Sequence, residues 1–166
     1  MTIEAVCESA VSITWYTNES QTGTTGVVVA GYGWAPKVST TLINKPVNIV
    51  NFKASSTSGS FEIGKAVYGE STATDVQTIA WNSSNKGANN IVTIELPNTI
   101  TLDTNEYFVV FPNTQPSSGS QMLYSSTGGS GFYSDTPVSR RGNSPWKPTA
   151  TDAYSLQINF GYKTQN

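Results

Sequence analysis

The fold is decided by the closing stretch of the chain, Tyr154-Ser155-Leu156-Gln157-Ile158-Asn159-Phe160-Gly161-Tyr162. Aromatic and aliphatic residues alternate here with small or polar ones, which is the period of a β-strand that buries one face. We therefore predict one strand over this stretch, and its buried face would carry Tyr154, Leu156, Ile158, Phe160 and Tyr162.

The same kind of signal recurs upstream. Runs of β-branched and aromatic residues between turn residues predict strands at 47–52, 61–68, 91–96 and 107–111, and weaker patterns predict strands at 11–16, 27–30, 76–81, 121–124 and 131–133. No segment combines a helical period with helix caps. The sequence thus predicts an all-β fold, an antiparallel β-sandwich that is jelly-roll-like, with residues 1–166 forming a single domain.

Composition narrows the function classes. The 166 residues have a formal net charge of −2, and a nucleic-acid binder would normally be basic. The chain has no histidine, so the commonest general base and metal ligand are both missing. The single cysteine, Cys7, excludes an intrachain disulfide and a multi-cysteine zinc site. We expect no nucleic-acid partner, no metal site and no cofactor.

The acidic residues do not suggest a hydrolase. The four aspartates are far apart in sequence, and no pair of carboxylates stands out as the acid and base of a glycosidase. Glu62 and Glu95 alternate with apolar residues, which predicts that both lie on solvent-facing sides of strands. We expect a binding or structural module rather than an enzyme.

The sequence pattern also predicts neither a targeting signal nor a membrane-spanning segment. No run approaches the ~18 apolar residues that a membrane-spanning helix needs. The first residues, Met1-Thr2-Ile3-Glu4-Ala5-Val6, have neither a basic region nor an apolar core. The sequence therefore predicts no secretory signal peptide and no membrane insertion.

A long passage at 112–153 is predicted to be loop-rich and to carry a binding site, because long loops in compact domains are usually functional or disordered and this one is rich in aromatic residues. Trp146 stands between Pro145 and Pro148, which stiffen the backbone around its indole. The alternative is that Trp146 plugs one end of the sandwich. The other candidate ligand-binding residues of this passage are Tyr124, Tyr133, Asp135, Arg140 and Arg141.

These residue types suit saccharide recognition. Aromatic faces stack on sugar rings, and forked guanidinium donors and carboxylates bind hydroxyl groups. The alternatives are that Asp135 forms a turn before Thr136-Pro137 and that Arg140 and Arg141 cover polar surface.

A second aromatic group, Tyr32 and Trp34, lies on a predicted turn with Gly31 and Gly33 and is also a candidate ligand-binding pair. The alternative is a loop folded over an apolar edge. Two further tryptophans are interpreted structurally. Trp15 and Tyr16 are adjacent in a predicted strand, so one should point inward and one outward, and Trp81 should belong to the core.

Three stretches carry a resemblance to a known family: PVNIVNF at 46–52, GSFEIGK at 59–65 and NTITLDTNEYFVVF at 98–111. Together they resemble the jelly-roll, carbohydrate-binding-type modules of bacteriophage tail proteins and bacterial surface glycan-processing proteins. The resemblance covers about the middle two-fifths of the chain. It implies a β-sandwich that recognises saccharide, often as a repeated unit of a multimeric tail device, and it transfers no site residue.

The sequence therefore predicts a non-catalytic module that binds a cell-surface glycan or host receptor, as a homo-oligomer or as part of a larger assembly. Its expected location is the virion, in a phage tail, or the cytoplasm before assembly. Each site should bind weakly, with avidity from multiple copies. The alternative is a structural β-sandwich subunit of a coat, tail or appendage, whose aromatic residues serve subunit contacts.

Overall fold

The computed structural model of the protein describes residues 11–18, 34–36, 42–54, 56–67, 70, 72–112, 124–125, 132–134, 149–152, 155–156 and 158–164. Twelve strands run through these residues in chain order: β1 Ser12–Trp15, β2 Trp34–Pro36, β3 Pro46–Lys53, β4 Gly59–Val67, β5 Ala73–Trp81, β6 Ile91–Thr101, β7 Glu106–Pro112, β8 Tyr124–Ser125, β9 Phe132–Ser134, β10 Thr149–Asp152, β11 Ser155–Leu156 and β12 Ile158–Thr164. Two short 3-10 turns, Ser83–Asn85 and Ala88–Asn90, connect β5 to β6.

The strands form two main antiparallel sheets. Sheet A has the order β1-β12-β3-β6, and sheet B has the order β10-β9-β2-β7-β4-β5. A separate pair, β8 with β11, forms a small two-stranded sheet. The prediction of an all-β antiparallel sandwich is confirmed.

Eight of the strands pair in a nested way. Strand β1 pairs with β12, β2 with β7, β3 with β6 and β4 with β5, so the outermost strands in sequence pair with each other and the innermost pair forms a hairpin. The contacts of β12 with β3 and of β7 with β4 then join these pairs side by side into the two sheets. Sheet A is therefore built entirely from strands that do not follow one another in the chain, whereas sheet B includes the β4–β5 hairpin.

The core lies between the sheets and is closed by aromatic contacts across them. Phe52 of sheet A meets Phe61 and Trp81 of sheet B edge-on, at ring-centroid distances of 5.1 and 5.2 Å. Phe160 of sheet A stacks on Phe108 of sheet B at 4.4 Å. Such pairs contribute about 0.5–1.5 kcal/mol beyond the area they bury. The prediction that Trp81 is a core residue is confirmed, since it is buried.

Two polar ties also connect the sheets. The buried side chain of Gln77 on β5 makes two hydrogen bonds to Asn98 on β6, donating to its carbonyl oxygen at 2.9 Å and accepting from its amide N–H at 2.7 Å. Lys65 on β4 donates to the carbonyl oxygen of Thr101 on β6 at 3.1 Å. These bonds satisfy backbone groups of β6 beside the irregular part of its pairing with β3.

Lys65 also carries a cluster of charges. Its ammonium lies 3.2 Å from the Glu106 carboxylate and 3.4 Å from that of Asp75. The register of β4 and β5 shifts between Ile63 and Lys65, and in this bulge Asp75 adopts a left-handed φ of 51°. Burial alone lowers the pKa of Lys65, but the hydrogen bonds and charges of Glu106 and Asp75 outweigh it, so the pKa is raised above its ordinary value.

Two local expectations need correction. The predicted strand over 154–162 is divided, because Leu156 pairs with Tyr124 in the small sheet, whereas Ile158 pairs with Phe52 in sheet A. Glu62 points away from the core but is 5% exposed, so its predicted solvent-facing position is wrong. The alternation correctly predicted that Glu62 points away from the core, but it could not predict that this side of the strand is buried. Glu95 is exposed, as predicted.

The other predicted segments divide between described and undescribed residues. The predicted strands at 47–52, 61–68, 76–81, 91–96 and 107–111 correspond to β3 through β7, and the one at 11–16 corresponds to β1. In the passage 112–153, predicted to be loop-rich, the structure describes the short strands β8, β9 and β10. The predicted strand at 27–30 lies outside the described residues.

A first prediction concerns the Lys65 cluster. Substitution Lys65→Met leaves the largely buried Glu106 carboxylate without its cation, and we expect a loss of about 2 kcal/mol of unfolding free energy at pH 8. Because the pKa of Lys65 is raised in the folded state, its contribution is complete below the ordinary value of 10.5 and is lost as pH rises through the raised value.

Urea unfolding of the wild type and of Lys65→Met between pH 8 and 12 measures this effect. The difference in unfolding free energy between the two proteins should stay constant up to about pH 10 and then shrink. A difference that does not change with pH would contradict the assigned role of the ammonium.

Candidate functional site

The outer face of sheet A, turned away from the core, presents side chains in rows across its strands. The central row is Trp15, Gly161, Ile49 and Glu95, which lie opposite one another on β1, β12, β3 and β6. A neighbouring polar row contains Asn159 opposite Asn51, and Asn51 opposite Thr93. On the other side of the central row, Ile13 lies opposite Lys163. We call the surface formed by the central and polar rows the Trp15 face.

The Trp15 indole lies against the sheet over Gly161. A β-carbon placed on Gly161 would lie 2.8 Å from Cε3 of the indole, 2.9 Å from the carbonyl oxygen of Thr14 and 3.2 Å from Cγ2 of Ile49. Only a residue without a side chain leaves room for the ring at this height. Ile49 is 2% exposed although it lies outside the main core cluster. Trp15 is 37% exposed and therefore keeps contact with solvent.

The polar row is held by its own hydrogen bonds. Asn159 donates to Oδ1 of Asn51 at 3.1 Å, and its Oδ1 accepts from the hydroxyl of Thr17 at 3.2 Å. The Thr17 oxygen accepts in turn from the backbone N–H of Phe160 at 2.9 Å. Asn159 is buried, so this network fixes its amide and that of Asn51 beside the central row. Rows on one face are two residues apart along a strand, or about 7 Å.

Two charged side chains, Lys163 and Glu95, lie on the same face as the Trp15 indole. The Lys163 ammonium contacts the Glu95 carboxylate. The backbone of Lys163 is tied separately, since its N–H donates to Oδ1 of Asn48 at 2.7 Å and its carbonyl accepts from Nδ2 of Asn48 at 2.9 Å. The two charges compensate each other, so the centre of the Trp15 face has donors and acceptors without a strong field of one sign.

The residue after Trp15 takes the opposite side of the strand. Tyr16 is half-buried against the core cluster, and the Lys45 ammonium lies 5.1 Å from its ring centroid. Burial first, and the neighbouring Tyr162 second, raise the pKa of the Tyr16 phenol. The prediction that one of Trp15 and Tyr16 points inward and the other outward is confirmed.

The candidate residues chosen from sequence fall largely elsewhere. Trp146, Arg140, Arg141, Asp135 and Tyr32 lie outside the described residues. Trp34, Tyr133 and Tyr124 lie in strands whose backbone is described, on β2, β9 and β8. Strands β2 and β9 are neighbours, with Trp34 opposite Ser134 and Tyr133 opposite Ala35. The structure thus brings together the backbones of two aromatic groups that the sequence presents as separate.

Sequence reasoning missed the Trp15 face as a candidate site. A glycine at the centre of the last strand and an adjacent Trp-Tyr pair in the first were the available signals. They could not be connected from sequence, because nothing in either segment indicates that β1 and β12 pair with Trp15 opposite Gly161.

Within the described residues, no group of three or more potential histidine, cysteine or acidic ligands is placed to hold a metal ion. In the part of the chain that the structure covers, no helix has the length and apolar character to span a bilayer. Comparison with known protein families, curated proteins and solved structures found no match.

A second prediction tests the seat of the indole. Substitution Gly161→Ala introduces a β-carbon 2.8 Å from Trp15, and we expect it to destabilise the protein by about 1–3 kcal/mol, as overpacking usually does. In the Trp15→Ala background the same substitution should cost less, because one of the crowded atoms has been removed. Urea unfolding of the four proteins of this double-mutant cycle provides the measurement.

One result of this double-mutant cycle would contradict the prediction. Equal costs of Gly161→Ala in the presence and absence of the indole would show that the clash is with the Thr14 carbonyl and Ile49, and that the ring does not rest on Gly161.

Proposed function

We propose that this chain is a non-catalytic carbohydrate-binding module with jelly-roll topology, which recognises a cell-surface glycan and binds it on the Trp15 face. The proposal includes the assignment suggested by the family resemblance, a host-recognition module of a phage tail or other virion component. Its mechanism is the stacking of one sugar ring on the indole, with hydroxyl groups hydrogen-bonded by the adjacent Asn51 amide.

The observation that carries the proposal is the seat of Trp15. An indole held against Gly161 and Ile49 loses little further freedom when a ligand covers its outer surface, because the sheet already fixes its position. The C–H groups of a pyranose supply the apolar surface that such a ring accepts. A flat platform on a sheet face also suits an extended saccharide better than a small enclosed molecule.

The polar row supports the same ligand class. The half-buried Asn51 amide carries the donor and acceptor types that pair with sugar hydroxyls and lies about 7 Å from the central row, while the buried Asn159 only positions it. Glu95 in the central row and Lys163 beyond it form an ion pair rather than the two-carboxylate arrangement of a glycosidase. The lack of histidine in the whole chain also favours binding over catalysis.

The strand order supports the jelly-roll part of the proposal. A jelly roll contains eight strands in two Greek keys, and rolling up a long antiparallel hairpin pairs its first strand with its eighth, its second with its seventh and so on. The pairs β1–β12, β2–β7, β3–β6 and β4–β5 follow this scheme if β8 to β11 are an insertion before the last strand. Viral capsid and lectin domains use this architecture.

A structural subunit of a coat or tail is the second candidate. It is favoured by the row of exposed apolar side chains on the edge strand of sheet A and directly before it, Val11, Ile13 and Trp15. Exposed apolar surface of this kind commonly marks contacts between proteins.

The third prediction separates these functions. Trp15→Ala should weaken glycan binding at least tenfold, equivalent to about 1.4 kcal/mol, because the stacking surface is lost. The matched control is Val76→Ala, which removes an exposed apolar side chain from the outermost strand of sheet B. A glycan array identifies the ligand, and calorimetric titration of the purified variants measures the affinities.

The outcomes assign the site. Loss of binding in Trp15→Ala, with the affinity of Val76→Ala unchanged, supports the Trp15 face. Loss in Trp146→Ala with Trp15→Ala unaffected would transfer the glycan site to the passage 112–153. No binding by the wild type to any glycan, with Trp15→Ala altering its assembly mass, would favour the structural subunit.

A further inference from the structure

We propose that β1, along the edge opposite β12, pairs with the same strand of a second copy of this chain, antiparallel and about a two-fold axis at Ile13. Strand β1 is the outermost strand of sheet A and pairs on one side with β12. The proposal concerns its other side, and it does not depend on whether the protein binds a glycan.

The hydrogen bonds between β1 and β12 determine which backbone groups of β1 point away from β12. The Tyr16 N–H donates to the carbonyl oxygen of Phe160 at 2.9 Å, in line with the register that pairs Ser12 with Thr164 and Thr14 with Tyr162. Hydrogen-bonded pairs alternate along an antiparallel ladder, so the even-numbered residues use their N–H and C=O groups toward β12. The corresponding groups of Val11, Ile13 and Trp15 point to the opposite edge, where no other strand of the described residues pairs with β1.

The same three residues carry the exposed apolar side chains. Val11 is 58% exposed and Ile13 is 42% exposed, and with Trp15 they make up most of the large apolar residues that the described part of the chain exposes. The outward-pointing backbone groups and the exposed apolar side chains therefore belong to the same three residues. An incoming strand would hydrogen-bond to the backbone groups and bury the side chains.

A second copy fits this edge because β1 is complementary to itself. With Ile13 on the axis, Ile13 lies opposite the partner's Ile13, and Val11 lies opposite the partner's Trp15, so each apolar residue meets an apolar residue. Residues 11–16 contain no charged residue and no proline, which are the usual devices that keep edge strands apart. Among the described residues, the charged Lys163 lies opposite Ile13 on β12, and its ammonium already contacts Glu95 of its own chain.

This pairing would join the two copies of sheet A into one continuous sheet, with both Trp15 faces on the same side. The two indoles would lie four residues apart along the sheet, or about 14 Å, each flanked by the partner's Val11. If the proposed function is correct, a dimer therefore gains avidity for repeated glycans.

Sedimentation velocity of the full chain over a range of micromolar concentrations tests the pairing. The wild type should reach twice the 17.8 kDa chain mass, and Ile13→Lys should remain monomeric and raise the dimer dissociation constant at least tenfold, because two ammonium groups would meet on the axis. Val76→Lys is the control, since it places a lysine at an exposed position on the outer strand of sheet B and should leave the dimer unchanged. Circular dichroism checks that each variant is folded.

Crosslinking tests the register. In a Cys7→Ser background, Ile13→Cys should form a disulfide-linked dimer under mild oxidation, because hydrogen-bonded pairs have Cα atoms about 5.5 Å apart, within the range of a disulfide. Val76→Cys should not do so at the same rate. A wild type that stays monomeric, an unchanged dimer in Ile13→Lys, or equal crosslinking of the two cysteine variants would overturn the proposal.

The failure of this inference can be distinguished from failure of the glycan proposal. A folded, monomeric Ile13→Lys should retain the monovalent glycan affinity and lose only the tighter binding to a surface coated with glycan. A monomeric wild type that binds glycan through Trp15 would disprove the dimer and leave the proposed function intact.

Discussion

The insertion of β12 between β1 and β3 is the constraint on which sheet A depends. The last strand hydrogen-bonds to a strand near the beginning of the chain on one side and to the third strand on the other. Because the side chains of β12 alternate between the two faces of the sheet, this strand contributes to two surfaces. Ile158 and Phe160 pack into the core, while Asn159 and Gly161 shape the outer face. Any register shift of one residue would exchange these surfaces, so the core and the Trp15 face specify the same register.

The same strand accounts for the preorganisation of the candidate site. Phe160 contributes its ring to the stacking contact with Phe108 and its backbone N–H to the hydroxyl of Thr17. The hydroxyl of Thr17 then orients Asn159, one residue earlier. Core packing thus holds the polar row indirectly, through the backbone of one strand. A binding surface supported in this way keeps its geometry without a ligand, which limits the entropy lost on binding.

The edges of the sheet explain why binding and association are considered together. A sandwich leaves unpaired strand edges, and proteins usually protect them with charges, prolines or bulges. Strand β5, at one edge of sheet B, contains a bulge and the charged Asp75. Strand β1 contains neither within its described residues, and the indole of Trp15 lies at that edge. The proposed ligand on the outer face and the proposed partner strand at the edge would therefore lie next to each other. Each would cover part of the exposed apolar surface formed by Val11, Ile13 and Trp15.

The sequence by itself determined the class of the fold and the inward or outward side of most strand residues, because both follow from a local two-residue period. The burial of Trp81 and the opposite orientations of Trp15 and Tyr16 could be predicted on this basis. Tertiary structure alone decided which strands pair. That choice placed Trp15 over Gly161 and divided the predicted last strand between Leu156 and Ile158, and both results depend on residues far away in the chain. Local patterns carry no information about such partners, because the alternation of a strand is the same whichever neighbour it acquires.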